Sequence, residues 1–222
     1  MSASRLPLFP LPLVLFPGVP LPLHVFEPRY RQMLADCLAA DRRFGIVFRP
    51  EEVEERDLPP GHVGCVARIE KSETLLDGRS NIVVIGVERF ALTRIVESTH
   101  PYHVGEVQRY EDTAEPSDAL EPTAERVRAL FARVGRAART LADDTDPLPE
   151  LPSDTGLLSF AVASLIDLDA PARQRLLVSR SALGRLREID ALLRPAVDPI
   201  ELRALVHVRA KQNGHGPHPQ AS

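Results

Sequence analysis

Two cysteines, seven histidines, two lysines and one acidic loop are the groups in this 222-residue chain whose types suit chemistry, and their spacing supports little of it. Cys37 falls at an apolar helical position and Cys65 in a strand pattern, so both read as small buried hydrophobes. A nucleophilic thiolate needs a nearby base and a depressed pKa. With two cysteines a disulfide framework is unsupported, and a reducing cytoplasm is the expected compartment. His207, His215 and His218 gather late, but a run such as HGPHP (residues 215–219) has no second shell to fix its imidazoles as metal ligands. His24 is expected to pack on an apolar strand. His62, His100 and His103 flank turns without a cysteine or paired carboxylate at ligand spacing. The lysines, Lys71 and Lys211, follow Glu70 and Ala210, so neither belongs to a G-x-x-x-x-G-K-[ST] phosphate loop. Neither sits where burial would lower its pKa for a serine-lysine dyad. The loop EEVEERDLPPG, residues 51–61, is a run of like charges expected to be solvated surface. No catalytic residue, cofactor or metal is expected.

The elements that would position these groups follow from periodicity. Pro7, Pro10, Pro12, Pro17, Pro20 and Pro22 exclude helix from the start of the chain and confine it to extended, edge-strand or turn structure. Glu27 and Pro28 suit the first turn of a helix. Tyr30, Met33, Leu34, Cys37 and Leu38 then recur on one helical face, giving a helix over Glu27 to Ala40. Short strands are expected at Phe44 to Phe48, from Val63 onward, at Phe90 to Val96 and at His103 to Tyr110. A denser apolar run at Asn81 to Gly86 suits burial on both faces, joined to the preceding strand by an Asp77-Gly78 turn. Short strands with one helix suggest a partly closed β-barrel.

From Glu111 the composition shifts to acid, proline and alanine, and the rest reads as helix. Helices are expected around Val127 to Leu141, at Leu157 to Leu168, from Pro171 to Val178 and around Leu183 to Leu193, with a restart at Pro199, making a small bundle. The expected domains are residues 1–112 (β-rich barrel), 113–212 (helical bundle) and 213–222 (a mobile tail). Hydrophobic and charged fractions of 44% and 26%, with a net charge of -4, are those of an ordinary globular chain. The start lacks a basic segment followed by an uninterrupted apolar one, so no export signal and no membrane span are expected.

The opening LPLFPLPLVLFPGVPLPLHVFEPRYRQML, Leu6 to Leu34, resembles that of the Lon protease N-terminal, substrate-binding domain family. VGCVARIEK at Val63 to Lys71, the Asp77-Gly78 turn and GVERFAL at Gly86 to Leu92 fall where that family carries similar runs, and the helical stretch Leu157 to Leu193 resembles the segment that follows. The resemblance implies an α+β fold: an N-terminal PUA-like β-barrel with one inserted helix, then a C-terminal helical bundle. Since the ATPase and protease motifs are absent, it implies a stand-alone, non-catalytic module that binds unfolded or partly folded polypeptide or a partner protein, as an adaptor or regulator in protein quality control. A separate protease is a further implied partner.

The residues matching family motifs are Pro17, Gly18, Phe26, Glu27, Arg29, Tyr30, Gly64, Gly86, Arg89 and Phe90, expected to be structural. Glu27 would complement the helix N-terminus, and Arg29 or Arg89 would anchor the strand-to-helix corner. A peptide groove beside Leu13, Val14, Phe16 and Val19 would take an extended chain added to a proline-rich sheet edge, while the competing expectation, favoured for most of the four, is that they lie in the core. Two alternatives remain at this point. One is an enzyme of unrecognised type at the interface of barrel and bundle. The other is an RNA-binding PUA-like domain, against which stand the negative charge and the absence of a basic stripe with exposed aromatics in residues 1–110.

Overall fold

The computed structural model describes residues Ser4–Asn213. The expected tail and its His215 and His218 therefore lie outside the described residues. Six strands come first: β1 (Ser4–Leu11), β2 (Pro20–Val25), β3 (Arg43–Phe48), β4 (Val63–Thr74), β5 (Ser80–Val96) and β6 (Val104–Arg109), with helix α1 (Pro28–Ala39) between β2 and β3. Four helices follow: α2 (Ser117–Ala142), α3 (Thr155–Leu165), α4 (Ala170–Val178) and α5 (Ala182–Asn213). The fold is α+β, a strand-rich part followed by helices.

The strands form one sheet in the order β2-β5-β4-β3-β1-β6, and β6 also pairs with β5. That last pairing closes β5, β4, β3, β1 and β6 into a barrel. It works because β5 is 17 residues long. Its first part lies between β4 and β2, Phe90 and Ala91 lie between β4 and β6, and Leu92 to Val96 continue on β6. Register shifts in the β4–β5 ladder near Cys65 and Ile69 supply the bends that closure requires. The stretch Asn81 to Gly86 differs from expectation. Ile82, Val84 and Gly86 are buried while Asn81 is exposed and Val83 and Ile85 are half-buried, the alternation of a strand with one core-facing side.

Helix α1 plugs the sheet with Tyr30, Met33, Leu34 and Cys37, which join Phe9, Leu15, Phe44 and Val84 in one apolar cluster. The rings of Phe9 and Tyr30 lie 4.2 Å apart. A second cluster, of Leu6, Leu8, Val47, Leu58, Val66, Phe90, Leu92 and Val107, fills the other side.

By contacts the chain forms two units, Met1–Thr113 with Ala163–Arg180, and Ala114–Val162 with Ser181–Ser222. The segment containing α4, expected with the bundle, groups with the strands. Arg89 on β5 is the physical reason: its buried guanidinium donates to the carbonyls of Leu177 and Ser179, both at 2.7 Å. In the second unit α2 packs on α5, with Val127, Leu186, Ile189 and Leu193 buried and Arg133 gripping Glu201 through two bonds of 2.9 and 2.7 Å. Helix α5 runs unbroken through Pro195 and Pro199 instead of restarting. Both prolines are exposed, so the carbonyls left without a donor face water.

Candidate functional site

Among the expected motif residues, Glu27, Arg29, Tyr30 and Arg89 make side-chain hydrogen bonds. Glu27 precedes α1 without a side-chain cap, and its carboxylate instead accepts from Arg29 Nε at 3.0 Å. Arg29 then reaches across to Glu55 with both Nη atoms, and Tyr30 Oη donates to the same carboxylate at 3.0 Å. His103 Nε2 stands 3.5 Å from Glu55. Burial, reinforced by Glu55, raises the Tyr30 phenol above its ordinary pKa. The loop expected to be solvated is thus pinned: the Glu55 side chain is only 14% exposed. A carboxylate 26 residues from its arginine leaves no periodic signal in the sequence.

Pro17 and Gly18 turn the chain into β2, with Gly18 in the left-handed region at φ 77°. The Phe16 carbonyl lies against Gly86, where a Cβ would collide with it. Gly64 similarly leaves room for the ring of Phe90 and the carbonyl of Ile46. Arg89 holds α4 and also pairs with Asp112.

The expected peptide groove is not assembled as a surface. Phe16 is 1% exposed and Val14 8%, both core, while Leu13 and Val19 are half-buried. The backbone carbonyl of Phe16 is held by the turn against Gly86. The proline edge also differs from the reading that it would accept a strand. β2 pairs only with β5, so its other edge is free among the described residues. Proline cannot donate, so the opposed pairs Pro20–Ile85 and Pro22–Val83 are the non-hydrogen-bonded ones, and Leu21 and Leu23 direct their N–H groups to β5. The backbone of Pro20, Pro22 and His24 faces outward, and only His24 brings a donor. An added strand would find carbonyls and almost no N–H groups.

Among the motif residues, Phe26 has no structural account: it is 59% exposed. Val25 lies opposite Ser80 and Ser80 opposite Thr74, so β2, β5 and β4 reach the same end of the sheet. Phe26 leaves that end from β2, and the fully exposed Leu76 caps the β4–β5 hairpin there. Two clefts flank it. One, of about 520 Å³, crosses the outer sheet face between Pro22, His24, Lys71, Glu73 and Val83. The other, of about 490 Å³, lies between α1 and the hairpin, lined by Arg31, Ala35, Leu38 and Thr74. His24 is exposed here, not packed as expected. Its Nδ1 is 2.8 Å from Asn81 Oδ1 and its ring lies over Phe26 at 6.1 Å. Sequence reasoning missed this surface because Phe26 and Leu76 each sit alone at a corner, where periodicity carries no information.

A family description, "ATP-dependent protease La (LON) substrate-binding domain", matches residues 5–194. The chain belongs to the Lon substrate-binding domain family. It is 32% identical over 206 residues to Lon protease 2 of Herpetosiphon aurantiacus and 26% identical over 212 residues to the Lon protease of Geobacter metallireducens. Those alignments take in 90% and 93% of this chain but 25% and 26% of the relatives, so the chain spans about a quarter of the length of the curated relatives it matches. Its fold is also that of two solved structures. The N-terminal domain of Mycobacterium avium complex Lon protease gives a TM-score of 0.65 at 20% identity, over 86% of this chain and 98% of that one. A Lon N-terminal domain protein from Xanthomonas campestris gives 0.58 at 26% identity, over 85% and 98%.

The match to Lon proteases lies in their substrate-binding domain. Burial pushes the Cys37 thiol up to about 12 and raises Cys65 further, so neither is a thiolate at neutral pH. His207 lies in α5 with Nε2 2.9 Å from Asp143 Oδ1, a carboxylate that also pairs with Lys211. Among the described residues no group of three histidine, cysteine or carboxylate side chains is placed to hold a metal ion. No helix among them is long and apolar enough to cross a membrane.

Proposed function

We propose that this Lon-type domain is a polypeptide-binding module that takes hold of apolar segments in unfolded or partly folded chains, through the end of the sheet that carries Phe26 and Leu76. The observation behind this reading is the exposure of those two side chains beside two open clefts, on a chain whose other family-motif residues have structural work to do. An exposed aromatic with no packing role is the usual anchor of a recognition surface. Lys71 and Arg31, one in each cleft, have no ion-pair partner among the described residues, so a segment carrying a carboxylate beside its apolar side chains suits the site best. Family membership favours the same reading, since substrate binding is what the domain is named for. On this view the chain has no turnover of its own and works in the cytoplasm as an adaptor or regulator, presenting bound polypeptide to a partner such as a separate protease.

The test is binding of a permanently unfolded protein, such as reduced and carboxymethylated lactalbumin, measured by anisotropy against the parent chain and a Phe26→Ala, Leu76→Ser variant. Both positions are exposed, so the variant should keep its fold. A loss of affinity of tenfold or more in the variant is expected. Equal affinity for both would remove this surface from the reading, and no binding by the parent would remove the reading itself.

A further inference from the structure

The start of β1 lies over a small bowl that shares no lining residue with the two clefts just described. Its buried lining is mostly apolar, made by Leu6, Val66, Phe90 and Val107, with the buried Arg89, already paired with Asp112, beside them. Its volume is about 170 Å³. A cavity of about 150 Å³ holds one benzene molecule, so this bowl admits one branched aliphatic or aromatic side chain and nothing larger.

The rim is charged, with cations in excess. Arg5, Arg43 and Arg109 stand around it with Glu88 and Asp41. Glu88 is shared, 3.1 Å from Arg109 Nε and 3.9 Å from Arg43 Nη1, while Arg109 also reaches Glu111 at 3.3 Å. Asp41 accepts from the Arg43 backbone at 3.1 Å. Arg5 has no hydrogen-bond or ion-pair partner among the described residues. One long contact to Glu88 leaves most donors of Arg43 unused, and a planar guanidinium fork suits a carboxylate in two-point contact. An apolar floor one side chain deep, beside guanidinium donors of Arg5 and Arg43 that no described group takes up, fits a ligand with an apolar group and a carboxylate on the same carbon.

We propose that this bowl captures the C-terminal residue of a polypeptide, with an apolar side chain such as leucine or phenylalanine in the floor and the free α-carboxylate on Arg5 and Arg43. An Asp or Glu side chain within a chain cannot supply both parts, because its carboxylate replaces the apolar group. The proposal rests on the polypeptide-binding reading above and adds to it a preference for chain ends.

The test uses the full chain and two ten-residue peptides, fluorescein-labelled at the N-terminus and identical except that one ends in a leucine carboxylate and the other in a leucine carboxamide. Fluorescence anisotropy should show the acid binding at least tenfold more tightly. Arg5→Ala, a change at an exposed side chain, should bring the acid down to the affinity of the amide, and N-acetyl-leucine should compete only with the acid. Equal binding of acid and amide, both weakened by Phe26→Ala, would overturn capture of chain ends and leave polypeptide binding standing. Binding of neither peptide, with N-acetyl-leucine still bound in an Arg5-dependent way, would assign the bowl to free carboxylic acids and overturn the proposal.

Discussion

Arg29 meets the carboxylate of Glu55 along both oxygens, at 2.7 and 2.8 Å, across 26 positions of sequence. Removing one partner of a charge-assisted pair leaves the other poorly solvated. Glu55→Ala is therefore expected to cost about 1–3 kcal/mol. For a chain of this size each kcal/mol lowers the melting temperature by roughly 2–4 °C. Arg29→Lys should lose most of the same stability, since an ammonium cannot make the two-point contact. Differential scanning calorimetry checks both, and an unchanged transition in Glu55→Ala would show that the loop is held by other contacts.

The outward prolines of β2 should guard an otherwise open sheet edge. A Pro20→Thr, Pro22→Thr variant restores two outward N–H groups while keeping residues that suit a strand. It is expected to self-associate more than the parent at equal concentration. Light scattering on a sizing column reads this directly, and identical profiles would mean that the edge is protected by something other than its missing donors.

His62 should make the domain less stable in mild acid. Its neutral ring donates from Nε2 to the Phe48 carbonyl at 2.8 Å, and burial holds its pKa below the ordinary value. The unfolded chain therefore takes up this proton first, at about pH 6.5, and stability falls as the pH drops below that value toward the folded pKa. Asp36 acts lower in the scale. Bonds from Tyr102 and Gln32 depress its carboxyl, so its contribution is lost on acidification past the usual carboxylate range. Urea midpoints at pH 7.5 and 5.5 should differ less in a His62→Gln variant than in the parent, and an equal difference would exclude His62.

The cysteines should be inert while the chain is folded. With burial raising both thiols, labelling by a thiol reagent at pH 8 should require unfolding. Two equivalents are expected in guanidinium and close to none without it. Rapid labelling of Cys37 in the native state would contradict its burial.

The legible parts of this chain are those whose causes are local. Tyr30, Met33, Leu34 and Cys37 announced α1 because a helix repeats its buried face every three or four residues. Asp77-Gly78 announced the hairpin because Gly78 must take a positive φ, and it does. Glu55 was illegible because its partners come from α1 and from the approach to β6. Arg89 was illegible in part. Its charge pointed to an anchor, but its acceptors are backbone carbonyls, which every residue has. Phe26 was illegible as a surface residue because the same aromatic at the mouth of an apolar strand is as readily core, and only the path of the chain around it decides. The prolines of β2 mark an edge legibly but not what that edge offers an added strand, since which way each N–H would have pointed depends on register.

The return of Ala163–Arg180 to the strand unit bears on how the chain is born. All six strands have been synthesised by Arg109, yet the carbonyls that satisfy Arg89 come 88 and 90 residues after it. At about 5–20 residues per second the ribosome takes on the order of ten seconds to supply them. In that interval the nascent barrel carries the Arg89 cation on β5 before the carbonyls of Leu177 and Ser179 exist, so the strand unit is complete only once the chain has passed Ser179.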